Sequence, residues 1–335
     1  MPSQLRRVGW LLLAGLVALL YASMVACGRR STVEQAPRTA LKQKTTVYFV
    51  TISDGNRFWS LIERGSRDAA REMGLEVIWT QGQEMSIEET VDRMNTAIAA
   101  KPDYMVVSDI NPQAMNPVIE QAKRAGIHVI DINAEAPAGE RPYMFYVGAS
   151  EYQSGQAAAR ITLGSHRPNP RRAACLIQIQ GHAGLEARCR GYAEALHGAN
   201  VVVDNVDISG GPTDAEEKTR AYFISHPDAD AIYALSAEPE VFDPVLKVVA
   251  SGEVARRVVF VASDTSQDAF QAIEQGYLIA AIDQQPYLQG YLPVVWASLH
   301  SKYAYTPAND IYTGPVLVTK ENVARIEELV KANDR

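Results

Sequence analysis

From residue 45 onward, short apolar runs alternate with amphipathic stretches, and the alternation runs through the chain twice. In the first series the runs lie at 46–52, 75–80, 104–108, 127–132 and 144–148, rich in Val, Ile, Tyr and Phe. Uninterrupted apolar runs of this length fit strands buried on both faces. Between them, 57–73, 86–100 and 113–125 repeat apolar residues at helical spacing, and Ser86-Ile87-Glu88-Glu89 has the form of a helix-starting capping box. Strand, helix, strand at this spacing calls for right-handed crossovers and a mostly parallel sheet. A helical segment near 150–165 follows, and the pattern restarts. Strands are predicted at 173–179, 200–208, 231–235, 258–262 and 278–283, with helices at 184–197, 213–225, 239–250 and 266–275. Two series of similar size predict two α/β lobes, and 335 residues suffice for two cores. A helix at 286–300 and a last strand near 316–318 must pack on one lobe or the other.

Open parallel sheets bind ligands beyond the carboxyl ends of their strands. The residues there are Ser53-Asp54-Gly55-Asn56, Ser108-Asp109-Ile110-Asn111, Asp131-Ile132-Asn133, Gln180-Gly181-His182, Ser236-Ala237-Glu238, Ser263-Asp264-Thr265 and Asp283-Gln284-Gln285. Polar residues after strands also serve as ordinary helix caps. The same chemistry at the strand ends of both lobes, however, would line a cleft between them. "NRFW" adds two adjacent rings, Phe58 and Trp59, to one such end. Phe58 shares helical spacing with Leu61, Ile62, Gly65 and Ala69, so it belongs equally to a buried stripe. Trp59 lies about a hundred degrees around the helix and is the better candidate for ligand contact.

The first segment stands apart. Arg6 and Arg7 precede an uncharged apolar stretch from Val8 to Ala26, followed by Cys27. This order reads as an export signal over 1–26. "MVAC" resembles the end of a bacterial lipobox, which makes Cys27 a lipidation site, although Met24 replaces the usual Leu. The stretch is also long enough for an uncleaved membrane anchor. Either reading places the remainder outside the cytoplasm, with the polar, unpatterned 27–44 as a tether. Loss of the signal removes two of the 32 Lys and Arg residues against 39 Asp and Glu. The body is therefore more acidic than the whole chain's −7, and it lacks a basic stripe, which argues against nucleic acid as a partner. Cys175 and Cys189 fall in an apolar strand and the helix after it, and are expected as two buried thiols rather than a disulfide. No Cys/His spacing suggests a metal, and no cofactor is expected.

Four stretches together resemble the type I periplasmic (solute-)binding proteins, in their sugar-binding branch. They are "SDGNRFWSLIERGSRDAAREMG", "PDYMVVSDINPQAMNPVIEQAKRAGIHVIDINAE", "YVGASEYQSGQAAA" and "VVFVASDTSQDAFQAIEQGYLIAAIDQQPYLQGYLPV". The likeness spans about residues 45–320. It implies an α/β fold of two Rossmann-like lobes with parallel sheets joined by a multi-strand hinge. The implied division is 45–148 plus about 286–304 for the N-terminal lobe, and 149–284 plus about 310–335 for the C-terminal lobe. It also implies ligand contacts at Asn56, Phe58, Trp59, Asp131, Asp264 and Gln284, to which the strand-end rule adds Ser108, Asn111, Asn133 and Ser236. Asp131 is matched to the acid that accepts from sugar hydroxyls, and Arg188 or Arg190 to a ligand-binding arginine. The segment "GHAGLEARCRG" is one residue shorter than the ribose-type pattern, which leaves the choice of arginine open. Ile132-Asn133 stands where ribose-type proteins carry Arg, and Ser236 where Asn is usual, so ribose is not implied.

The function implied is capture of a sugar or sugar-like polyol for an ABC permease in the membrane. A sensory protein of the same fold, binding a sugar or autoinducer and signalling to a sensor kinase or chemoreceptor, is the alternative. A cytoplasmic repressor would need an N-terminal helix-turn-helix where the export signal stands. Enzyme motifs are missing: there is no G-x-S-x-G, P-loop, H-E-x-x-H or G-x-G-x-x-G.

Overall fold

A computed structural model describes residues 44–52, 56–80, 86–137, 139, 141–165, 169–252 and 258–333. The expected signal at 1–26, the lipidation site Cys27, the tether up to residue 43 and the loop residues Ser53, Asp54 and Gly55 lie outside these.

The first lobe opens with β1 (Thr46–Val50), α1 (Arg57–Met73), β2 (Glu76–Thr80) and α2 (Ile87–Ala100). It continues through β3 (Tyr104–Val107), α3 (Pro112–Arg124), β4 (His128–Ile132) and β5 (Tyr146–Ala149). After α4 (Glu151–Ser165) the second lobe follows with β6 (Arg172–Ile177), α5 (Ala183–His197), β7 (Val202–Asp207) and α6 (Pro212–Ser225). Next come β8 (Ala229–Ala234), α7 (Pro239–Ala250), β9 (Val259–Ser263), α8 (Gln267–Gln275) and β10 (Ala280–Asp283). The chain ends with α9 (Pro286–Tyr303), β11 (Ile311–Gly314), β12 (Val316–Thr319) and α10 (Val323–Asn333).

Each lobe is built on a six-stranded sheet, in the orders β11-β5-β4-β3-β1-β2 and β12-β10-β9-β8-β6-β7. All pairs are parallel except β10 with β12. The predicted α/β fold of two lobes is therefore present. Central strands such as β3, β8 and β9 are buried throughout, whereas the edge strands β2 and β7 are half exposed. Period-two alternation divides the second lobe's core: Ala173, Cys175, Val259 and Val261 pack on one face, and Ala174, Leu176, Phe260 and Ala262 on the other. Helix starts follow local chemistry. Asn56, Ser86, Asn111 and Ser266 cap α1, α2, α3 and α8 by accepting N–H groups of the first turn.

The helices that bridge the lobes change sides. α4 leaves the first sheet and packs on α5 of the second lobe, while α9 leaves the second sheet and packs on α1 of the first. Both pairs are brought close by reciprocal glycines. A Cβ on Gly65 or Gly290 would run into the backbone carbonyl of Tyr287 or Ile62. Likewise, one on Gly155 or Gly191 would meet that of Arg188 or Tyr152.

Three chain crossings lie side by side and are laced together. Ser150 N–H donates to Gly314 O at 3.2 Å, Thr313 Oγ1 to Gln284 O at 2.6 Å, and Gln285 Nε2 to Thr313 O at 2.6 Å.

Two expectations need correcting. The stretch from 310 was assigned whole to the second lobe, but β11 pairs with β5 in the first sheet, and only β12 and α10 follow in the second. The strand is four residues long and mostly half exposed, so no apolar run announces it. Cys175 and Cys189 are not separate thiols but a disulfide, with Cα atoms 5.7 Å apart. The turn after β6 folds α5 directly back onto that strand, and both side chains face the same core.

Candidate functional site

In the first lobe, most of the groups at the strand ends are neutral, and the two acids there, Asp109 and Asp131, are fully buried. Asn56 Oδ1 accepts the Trp59 N–H at 3.0 Å, which fixes the first turn of α1. Phe58 and Trp59 meet edge to face, with ring centroids 5.4 Å apart, and both are largely buried at the margin of the core. Ser108 Oγ donates to Asn133 Oδ1 at 3.2 Å, joining the ends of β3 and β4. Asn111 is half-buried and is occupied in capping α3 through Ala114 N–H.

Asp131 departs from the expectation. It lies within β4, fully buried, and its Oδ1 accepts the Asp109 N–H at 2.8 Å. Burial, and then the nearby Asp109 carboxylate, hold its pKa well above the ordinary range. Its carboxyl shapes the turn after β3. The polar group delivered to the end of β4 is Asn133, two residues further on, in a left-handed conformation at φ 67°.

The second lobe repeats this placement with charge. Asp264, the first residue after β9, has φ 68° and so takes up the conformation that Asn133 has after β4. Asn and Asp are the non-glycine residues that best tolerate that conformation. Asp264 Oδ1 accepts from Gln284 Nε2 at 2.5 Å, while Gln284 Oε1 is buried without a partner among the described residues. Burial raises the Asp264 pKa, against the opposing pull of Arg188.

Arg188 reaches these strand ends from α5. Its Nη1 donates to Leu235 O at 2.9 Å, and its Nε and Nη2 grip both carboxylate oxygens of Glu151, the latter at 3.0 Å. Both side chains are almost wholly buried. Burial pushes the Glu151 carboxyl up to about 7, with Arg188 working against it. His182 caps α5, and burial followed by Arg188 lowers its pKa to about 3, so the ring stays neutral. Arg190 is not at the site. Two residues on, it is about 200° around the helix, exposed, 5.7 Å above the Tyr152 ring. Of the two arginines, Arg188 is the one that lies beside the strand ends.

Ser236 Oγ accepts the Glu238 N–H at 3.1 Å, and so positions Glu238 at the start of α7. Glu238 Oε1 then accepts the Phe58 N–H of the first lobe at 3.1 Å. A second bond across the lobes runs from Ala183 N–H to Ile110 O at 2.9 Å. Burial first, and then Asp264, push the Glu238 carboxyl up to about 7. Glu238 stood in the sequence-derived set of strand-end residues without being singled out, and Glu151 was overlooked. An acid in a helix's first turn is the commonest dipole partner, and nothing local distinguishes one that pairs with an arginine 37 positions away.

A separate cavity of about 420 Å³ is walled by Leu61, Arg64 and Asp68 of α1 and by Ile326, Leu329 and Val330 of α10. It reaches Thr265, Asp283 and Gln285 of the strand-end set but none of the residues predicted as ligand contacts. Among the described residues no group of His, Cys, Asp and Glu is arranged to hold a metal, and no helix is long and apolar enough to cross a membrane.

Comparison with known proteins bears on this arrangement. The profile of the periplasmic binding protein domain matches residues 47–302. The xylose/arabinose-binding protein XylF of Sulfolobus acidocaldarius is 29% identical over 290 residues, covering 83% of this chain and 71% of that protein. The ribose import binding protein RbsB of Bacillus subtilis is 22% identical over 263 residues, covering 78% and 84%. Among solved structures, a carbohydrate transporter from Acidothermus cellulolyticus in complex with myo-inositol superposes with a TM-score of 0.77. It is 26% identical, with 88% of this chain and all of that one covered.

Proposed function

This chain belongs to the periplasmic binding protein family, and from that premise we propose that it captures a sugar or sugar-like polyol between its lobes and delivers it to an ABC importer. The relatives are named for binding and import, and the chain is a binding protein, not an enzyme. The ligand class rests on one observation: the Phe58–Trp59 turn of one lobe is hydrogen-bonded to Glu238 of the other, and Glu238 feels the charge of Asp264. An aromatic surface and carboxylates therefore share one cleft. A sugar suits both, offering C–H faces to the rings and hydroxyl donors to the carboxylates.

In this reading Trp59 and Phe58 cover the apolar face. Asn56, Ser108 and Asn133 serve hydroxyls from the first lobe; Arg188, Ser236, Asp264 and Gln284 serve them from the second. Asn111 holds its loop, and Asp131 supports the turn from behind. The unpartnered Gln284 Oε1 suits a hydroxyl donor. Closing the lobes desolvates these groups together, and the ligand favours the closed state by its contacts with both. Cys27, once lipidated, would anchor the protein outside the cytoplasm beside its permease.

Calorimetric titration with aldopentoses, aldohexoses and inositols tests the assignment. Saturable heat with at least one of them is expected. No heat and no shift in melting temperature with any of them would overturn it.

A further inference from the structure

Arg188 brings a full positive charge to the ends of β8 and β9, beside Asp264. A cation in a sugar site would ordinarily favour sugar acids, because a carboxylate pairs with a guanidinium more strongly than a hydroxyl does. Here that pairing is already taken. Glu151 occupies the Nε–Nη2 edge of the guanidinium, the edge a ligand carboxylate would use in bidentate fashion. The clasp is supported on its other side. A Cβ on Gly184 would stand 3.2 Å from the His182 ring and 3.4 Å from the Glu151 carboxylate, so these groups close in on a position with no side chain. The other ionisable groups nearby, Asp264 and Glu238, are both acids, so any charge they carry is negative.

We infer that Glu151 is a specificity-determining residue: it neutralises and orients Arg188, so that the site takes uncharged sugars and refuses sugar acids. Two N–H groups of the guanidinium stay outside the bonds to Glu151 and Leu235, enough to serve ligand hydroxyls. An incoming uronate would have to displace a buried, bidentate carboxylate, or take the two remaining N–H groups of an already neutralised guanidinium beside the acids Asp264 and Glu238. Either route costs affinity without any steric clash.

This inference rests on the sugar-binding reading, and the test separates the two. D-glucuronate is D-xylose carrying a carboxylate on C5, and D-galacturonate is L-arabinose extended in the same way. Wild-type protein is titrated with D-xylose, L-arabinose, D-glucose and D-galactose; if none binds, the sugar reading fails. If one binds, the uronates are compared with it in wild type and in Glu151→Gln, which keeps an acceptor for Arg188 but removes the charge. The uronate-to-neutral affinity ratio is expected to rise at least tenfold in Glu151→Gln and to stay at the wild-type value in Glu151→Asp. An unchanged ratio in Glu151→Gln, with a neutral sugar still bound, would overturn the inference.

Should Glu151→Gln not fold, the wild-type ratio is measured at pH 8 and pH 6, where uronates are ionised throughout. Glu151 is faced by Arg188 and neutral His182 of α5, Asp264 after β9, Tyr146 of β5, Glu135 after β4 and Tyr233 of β8, with Glu238 beside Asp264. Protonation of the carboxyls at the lower pH releases the arginine, so the ratio should rise as pH falls. A flat ratio would also overturn the inference.

Discussion

The two lobes share a strand order and deliver residues to equivalent places, yet they furnish those places differently. After β4 the first lobe offers Asn133; after β9 the second offers Asp264 in the same left-handed backbone. The first lobe's strand ends pair neutral groups, Ser108 with Asn133, beside two rings. The second lobe's ends hold a buried ion pair and two carboxyls with raised pKa. On the proposed reading, one wall meets the ligand with rings and neutral polar groups, and the other meets it with charged ones. A neutral wall can be altered locally, whereas a buried charged one is held by every partner at once.

The contrast breaks most directly at the ion pair. Arg188→Ala leaves Glu151 buried without its partner and is expected to cost about 3–5 kcal/mol of stability. Asn133→Ala should cost only about 1–2 kcal/mol, the strain of a left-handed backbone. Urea unfolding of both variants checks this, and equal losses would erase the distinction between the walls.

Next comes the disulfide, which has no counterpart in the first lobe. Reduction, or Cys175→Ala with Cys189→Ala, releases a loop of sequence separation 14 and should cost about 3 kcal/mol. The measurement is the melting temperature with and without reductant, and an unchanged value would mean the bridge adds nothing.

Trp59→Ala tests the neutral wall. It should weaken sugar binding by about 2 kcal/mol, roughly thirtyfold, and, because the ring also packs on the first core, lower the melting temperature. Full affinity in calorimetry would remove Trp59 from the ligand surface.

The smallest effect concerns pH. Glu238 is raised from 4.5 to about 7 in the folded protein, so it holds a proton that an unfolded chain would release. Its stabilising contribution is complete below 4.5 and is lost as pH rises through 7. Glu151 and Asp264 shift the same way, so the diagnostic quantity is a difference. The fall in melting temperature from pH 5.5 to pH 8 should be shallower in Glu238→Gln than in wild type. Parallel curves would show that the bond from Phe58 does not depend on the state of Glu238.

Much of this fold was legible because buried parallel strands announce themselves as apolar runs; β8 and β9 are examples, buried along their whole length. β11 could not be read that way, since Tyr312 is exposed and the strand is four residues long. α10 was overlooked although Val323, Ile326 and Val330 carry a helical spacing into the second core. At the candidate site, Asn56, Ser108, Asn133, Asp264 and Gln284 lie at strand ends, where the sequence pattern puts them. Asp131 lies inside β4 and accepts the Asp109 N–H, a partner that the strand-end pattern does not show. The bonds from Arg188 to Glu151 and from Phe58 to Glu238 span 37 and 180 positions, and only tertiary packing brings such partners together.

The exchange of α4 and α9 between lobes has a consequence for how the chain is made. The first lobe is begun first, but its sheet and its helix layer wait for β11 and α9, and the second waits for β12 and α10. A chain stopped before residue 286 would leave both lobes with an open flank, the Gly65 groove of α1 empty and the edges of β5 and β10 unpaired. The final stretch therefore acts as a clasp for the whole molecule. A growing chain keeps these edges open until β11 and β12 have emerged.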